Sequence, residues 1–351
     1  MPDSARPAPR MSPPRRIDPA PVARTVRGRG PRHFLLVPGL VPDGPETFWR
    51  QHKLFCAHGS VTTLTYPYET FELDAVVDWV TRWVSATRAS GHEPVLVGCS
   101  VGGGLCLEAL RRARAKGAEL PVAGLILVSP FTCVDDLAPL LKRLLKPILE
   151  EVDKAGGDPV PPYERGRQFF KQLAARALAA GVPEAKGLSL TPAAMMWRSV
   201  SWLLIPGGSS EQQEVKVRTQ IERTIESNPT HGGMARVVEL RRFPGPDSGA
   251  NADKPLTQAP SLVLWGSKER HTLTMDGPGT GVLCRPDHAY RLLPNSEIQW
   301  VYDIDGAEVP HASLLKHARA FNPHLRRWLV RTGKQERRAG IAAVLGGGPV
   351  G

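Results

Sequence analysis

Pro94-Val95-Leu96-Val97-Gly98-Cys99-Ser100-Val101-Gly102-Gly103-Gly104-Leu105 is the stretch on which the fold turns. An apolar, β-branched run ends in Gly-x-Ser-x-Gly, and a helix-forming run from Leu105 to Ala115 follows. The pattern predicts a strand, a sharp turn and a helix, with Ser100 at the apex. Such a turn holds its serine in a strained backbone conformation that lifts the hydroxyl clear of the sheet. Gly98 and Gly102 fall where strand and helix pass too close together for a side chain. The competing reading is a glycine-rich turn whose serine only caps the helix. Partners for a nucleophile further along the chain favour the first reading.

Working outward, His33 to Val37 is a short apolar strand ended by Pro38-Gly39, and Val61 to Tyr66 is a second strand. Leu73 to Ala86 carries Val76, Val77, Val80, Trp83 and Val84 at helical spacing. Leu125 to Val128 is a fully apolar strand closing at Ser129-Pro130-Phe131. Apolar strands without alternation, separated by helices, predict a parallel sheet covered on both faces. The pattern stops near residue 131 and resumes near 260 with Ser261–Trp265 and Ile298–Tyr302, then a last helix from Leu314 to Val330. Between them lies a mostly helical stretch: 137–152 has a helical pattern with Pro147 as a kink, 168–180 is rich in Ala and Leu, 195–205 is strongly apolar, 211–226 is polar and charged, Gly207-Gly208 and Gly232-Gly233 are loop glycines, and 247–254 is a loop. The expected architecture is α/β. A mostly parallel central sheet has helices on both faces and a helical cap inserted between two of its strands. The core takes residues 32–130 and 259–332, the cap 131–258, a disordered basic Pro/Arg-rich arm 1–31 and a flexible tail 333–351.

The net charge of +11 raises the question of a nucleic-acid partner. Its placement argues against one. Residues 1–32 hold eight arginines against Asp3 and Asp18, and the end of the chain holds Lys334, Arg337 and Arg338 against Glu336. The body between is close to neutral and has no interleaved basic and aromatic stripe. No apolar run approaches the roughly 20 residues that cross a bilayer. The arm lacks the apolar core of a secretory signal, and its prolines oppose the amphipathic helix of a transit peptide. Five cysteines without metal-type spacing fit reduced thiols, hence a cytoplasmic setting.

A serine hydroxyl becomes a nucleophile only when a base takes its proton, and a carboxylate orients that base. The elbow, Leu262-Val263-Leu264-Trp265-Gly266-Ser267-Lys268-Glu269 and Gly306-Ala307-Glu308-Val309-Pro310-His311-Ala312-Ser313 together resemble the α/β-hydrolase superfamily, in its serine-nucleophile branch with a helical lid. The resemblance covers residues 33–130 and 260–330. It implies the chain order Ser, acid, His. It places the acid three residues past a Trp-Gly, at Glu269, where Asp is commoner. It places the base at His311, ten residues before Phe321, with Pro310 where a glycine is usual. Asp135 and Asp136, after the preceding strand, are the alternative acids, and Asp276 and Asp305 stand behind them. Glu269 can also be read as a surface member of a Lys-Glu-Arg run. His271 is the rival base, whereas His288, His317 and His324 read as solvated helix faces. For the oxyanion, the resemblance implies the backbone N–H of Val101 and that of Leu40, in a Pro38-Gly39-Leu40 loop with Pro where the family has His. Gly39 supplies the turn there. The alternative is a plain strand-ending turn.

What the resemblance implies is a serine hydrolase cleaving a carboxylic ester or related acyl substrate, a small and apolar molecule, with no cofactor and no metal. The same residues also suit an acyltransferase or thioesterase, and an inactive protein could keep the fold for binding alone. Ser at the elbow argues against relatives with an aspartate nucleophile, and the absence of His-Gly-Gly-Gly against the lipases that carry it. Phe169, Phe170, Met195, Met196, Trp197 and Trp202 either line an acyl pocket or form the core of the insert.

Overall fold

Apolar runs build a seven-stranded sheet in the computed structural model, which describes residues 20–40, 44–67, 70–157, 219, 230–303 and 305–346. In chain order the strands are β1 (Val22–Val26), β2 (Arg32–Val37), β3 (Gly59–Thr65), β4 (Glu93–Cys99), β5 (Gly124–Val128), β6 (Ser261–Gly266) and β7 (Ser296–Val301). Their order across the sheet is β1-β3-β2-β4-β5-β6-β7. All neighbours pair in parallel except β1, which runs antiparallel to β3. The longer helices are α1 (Leu73–Ala89), α2 (Val101–Ala115), α3 (Pro139–Lys154), α4 (Thr230–Glu239) and α5 (Ala318–Gly346).

Successive strand residues point to opposite faces, and both faces are covered. Leu35, Val37, Leu96, Leu125, Leu127, Val263 and Trp265 join one apolar cluster with residues of α1 and α2. Phe34, Leu36, Val95, Val97, Ile126, Val128, Leu262 and Leu264 join the other, with Phe321, Leu325 and Trp328 of α5. This two-sided burial is why the strands show no polar alternation.

Several expectations need correction. The arm read as disordered through residue 31 contains β1. All five of its side chains are exposed, so no apolar period marked it, and it is held by main-chain pairing to β3. Arg32, counted with the basic arm by charge, is buried; its guanidinium donates to Leu329 O at 3.2 Å and Thr332 Oγ1 at 2.9 Å. The tail read as flexible from residue 333 continues α5 to Gly346. The Lys, Gln, Glu, Arg and Ala residues after Gly333 are good helix formers and outweigh that glycine. Gly232 and Gly233, read as loop glycines, lie inside α4.

The stretch between β5 and β6 contains the helices α3 (with Pro147 inside it) and α4, and residues 243–260 form a loop that includes the one expected at 247–254. Residues 168–180 and 195–205, nearly all of 211–226, and the six apolar side chains named above lie outside the described residues. Among the described residues, no helix is long and apolar enough to cross a membrane.

Candidate active site

β4 ends at Cys99 and α2 begins at Val101, so Ser100 alone makes the turn. Its backbone has φ 51° and ψ −120°, a combination that costs a non-glycine residue on the order of 1–3 kcal/mol. Four main-chain hydrogen bonds hold it there. Its N–H donates to Val128 O at 2.9 Å, and its carbonyl accepts from Gly103 and Phe131 at 2.9 Å and from Gly104 at 3.2 Å. The glycines of the motif are required by close approach. A Cβ on Gly98 would lie 2.5 Å from Gly103 Cα, and one on Gly102 would strike the carbonyl oxygens of Val37 and Pro38.

Ser100 Oγ lies 2.9 Å from His311 Nε2, and His311 Nδ1 lies 2.6 Å from Glu269 Oε2. These residues come from three separate loops, at the C-terminal ends of β4, β6 and beyond β7. In the tautomer this network selects, Nδ1–H donates to the carboxylate and Nε2 is free to accept the Ser100 proton. Glu269 is fully buried, and its other oxygen, Oε1, accepts from the Gly266 N–H at 3.1 Å and from the Ser129 hydroxyl. The surface reading of Glu269 fails because the turn Glu269–His271 directs this side chain inward while Arg270 and His271 stay exposed.

Main-chain bonds stitch the His311 loop to the Glu269 loop. Lys268 N–H donates to Val309 O at 2.9 Å, and Val309 N–H donates to Ser267 Oγ at 2.8 Å. Gly266 faces the carbonyls of Val309 and Pro310 so closely that a Cβ there would sit 2.6 and 2.7 Å from them. The oxyanion candidates lie on either side of Ser100. Val101 is the first residue of α2, where the N–H has no partner within the helix and the helix dipole is positive. On the other side, a Cβ built on Gly39 would stand 3.3 Å from Ser100 Cβ, so the Pro38-Gly39-Leu40 loop passes directly beside the serine.

The alternative acids are elsewhere. Asp135 is exposed. Asp136 is buried and accepts the N–H groups of Gly279 and Thr280, each at 3.0 Å. Burial pushes its carboxyl above the ordinary value, against the pull of those donors. Replacing Asp136 with Asn sets an NH2 group against one of the two N–H donors. Asp136→Asn is therefore expected to lower stability by about 1–3 kcal/mol. Turnover should stay within about tenfold of the parent. A thermal melt and an ester assay read the two effects; a collapse of turnover at unchanged stability would move the acid to Asp136. Of the other histidines, His288 is exposed. His317 is buried rather than on a solvated face, because it precedes α5 and its ring bonds Ser313 Oγ at 2.8 Å. Cys99, beside Ser100, is fully buried, and burial pushes its thiol up, away from thiolate chemistry.

Several residues at the site went unread in the sequence. Ser129 was only the end of a strand. Tyr66 and Arg236 support the loop before Leu40: the Tyr66 hydroxyl donates to Pro38 O at 2.7 Å, and the Arg236 guanidinium donates to Leu40 O and Pro67 O at 3.2 Å. A buried arginine on the backbone carbonyls of Leu40, Tyr66 and Pro67 leaves no spacing signal in a sequence. No group of three or more His, Cys, Asp or Glu side chains suited to a metal ion occurs among the described residues.

A family model described as the alpha/beta hydrolase family matches residues 34–255. The chain belongs to the α/β-hydrolase family. Solved structures similar to this α/β hydrolase include a thermophilic esterase from Thermogutta terrifontis, at 17% identity and TM-score 0.54, covering 89% of this chain and 93% of that one. An esterase from Exiguobacterium antarcticum matches at 13% identity and TM-score 0.52, over 88% and 95% of the two chains. The haloalkane dehalogenase DatA from Agrobacterium tumefaciens matches at 15% identity and TM-score 0.51, over 90% and 95%. Identities this low establish likeness of fold alone, and the range of reactions among these neighbours shows that the fold does not name the substrate. No curated protein sequence matches the chain. Family membership supports hydrolase chemistry on a small molecule.

Proposed function

We propose that this α/β hydrolase cleaves a carboxylic ester or closely related acyl compound through a covalent acyl-enzyme. The observation that carries the reading is the unbroken hydrogen-bond chain from Ser100 through His311 to Glu269. Ser100 Oγ attacks the carbonyl carbon as His311 Nε2 takes its proton. The tetrahedral oxyanion receives the N–H groups of Val101 and Leu40, donors fixed before the charge develops. His311 then gives the proton to the departing alkoxide, and the acyl group remains on Ser100. Water then attacks the acyl carbon as His311 takes its proton, the bond to Ser100 Oγ breaks, His311 returns the proton to that oxygen, and the acid departs. Glu269 stays ionised throughout and stabilises the imidazolium of each transition state.

A panel of 4-nitrophenyl esters of rising acyl length tests this reading and sizes the acyl pocket. Turnover of at least one ester, with a preferred length, is expected. An added alcohol acceptor in the same assay separates hydrolysis from acyl transfer. No turnover across the panel, together with no covalent labelling by a fluorophosphonate, would leave the fold without the activity.

A further inference from the structure

Ser129 stands immediately after β5, fully buried, with its hydroxyl between two loops of the site. Its Oγ–H donates to Glu269 Oε1, and the same oxygen accepts the N–H of Ala312 at 3.0 Å. Ala312 follows His311 directly. One hydroxyl therefore holds the proposed acid and the loop that carries the proposed base. We propose that Ser129 is a positioning residue for the hydrolytic site, one that keeps the Glu269 carboxylate and the His311 ring in register. The inference rests on the reading of Ser100, His311 and Glu269 given above.

Backbone strain points to the same place. Among the described residues, the non-glycine positions with positive φ are Ser100, Ser129, Ala312 and Asn251, so three of these four belong to this site. Ser129 has φ 46° and Ala312 has φ 50°. Strained conformations of this kind persist only where surrounding bonds fix them. Ser129 is fixed from its backbone as well, its N–H donating to Leu264 O at 2.7 Å. The polarity of the bonds is also determined. An N–H can only donate, so Ala312 consumes a lone pair of Ser129 Oγ, and the single hydroxyl proton must go to Glu269. That arrangement needs an acceptor oxygen at Glu269 Oε1.

The demand for such a residue follows from the choice of acid. Glutamate has one more rotatable bond than aspartate, so a carboxylate bonded only to histidine could swing away from it. Gly266 N–H and Ser129 Oγ–H together pin Oε1 and leave Oε2 aimed at His311. Without the hydroxyl, Ala312 N–H and one lone pair of Glu269 lose their partner in a buried setting.

The test uses 4-nitrophenyl butyrate turnover and the rate of fluorophosphonate labelling. Ser129→Ala is expected to lower kcat by about 10- to 100-fold with KM nearly unchanged, and to slow labelling in proportion. Ser129→Gly relieves the backbone strain, so it folds at least as readily, yet it should lose as much activity as Ser129→Ala. A role confined to backbone conformation would leave the glycine variant active. Ser129→Cys, a weak donor, should fall between. The decisive arm is the double variant. In a Glu269→Gln background the acid is already disabled, so adding Ser129→Ala should cost no more than about a further twofold. Single Ser129 variants within about threefold of the parent, or full additivity with Glu269→Gln, would overturn the inference while Glu269→Gln itself remains impaired. A fully active Glu269→Gln would overturn the underlying reading and this inference with it.

Discussion

Ser100→Ala is expected to fold to the parent melting temperature and to lose ester turnover by about 10⁴-fold or more. The fold should survive because the turn is held by the main-chain bonds of residue 100, which alanine keeps. Alanine can also adopt the backbone that serine adopts there, at a similar cost. Activity should not survive, because Oγ is the atom proposed to form the acyl bond. The neighbouring Cys99 is no substitute: it is buried, and burial pushes its thiol up, away from the thiolate. Residual activity above a few per cent of the parent would move the nucleophile elsewhere.

Glu269→Gln is expected to cost at least about 100-fold in turnover with little change in KM. Gln keeps the size of the side chain, and its carbonyl oxygen can still accept from Gly266 and Ser129. Its NH2 group must then face His311 Nδ1. That donor removes the tautomer in which Nε2 accepts the Ser100 proton, and the charge opposite the imidazolium is gone as well. Glu269→Asp keeps the charge but is one methylene shorter. It cannot reach Ser129 and His311 together, so an intermediate rate is expected. His311→Ala should approach Ser100→Ala, because residues that act as a unit fail as a unit. An active His311→Ala would remove the base from the account.

How much of this was legible depended on whether a feature is local in sequence. The elbow was, because strand, glycines and helix occupy twelve consecutive residues, and the observed helix simply begins four residues earlier than its apolar run suggested. The parallel sheet was legible because two-sided burial removes polar residues from strands such as Leu125–Val128. Glu269 and His311 were reached through resemblance, and their meeting with Ser100 depends on three loops that no spacing rule connects. β1 was missed because an exposed edge strand held by main-chain bonds has no hydrophobic signature. Ser129 was missed for a related reason. Its importance lies in one hydroxyl facing residues 140 and 183 positions away in the chain, which composition and periodicity do not register. Asp136 looked like an acid by position, and only its two backbone donors reveal what its carboxylate holds.

The most direct test of the central claim is intact-mass analysis after a fluorophosphonate treatment, followed by peptide mapping of the adduct. A fluorophosphonate reacts with a serine whose proton a base can take, so labelling reports the activated hydroxyl independently of the natural substrate. The account predicts one adduct per chain, mapped to Ser100, absent from Ser100→Ala and strongly slowed in His311→Ala. No adduct on the parent protein, or an adduct that persists in Ser100→Ala, would contradict it.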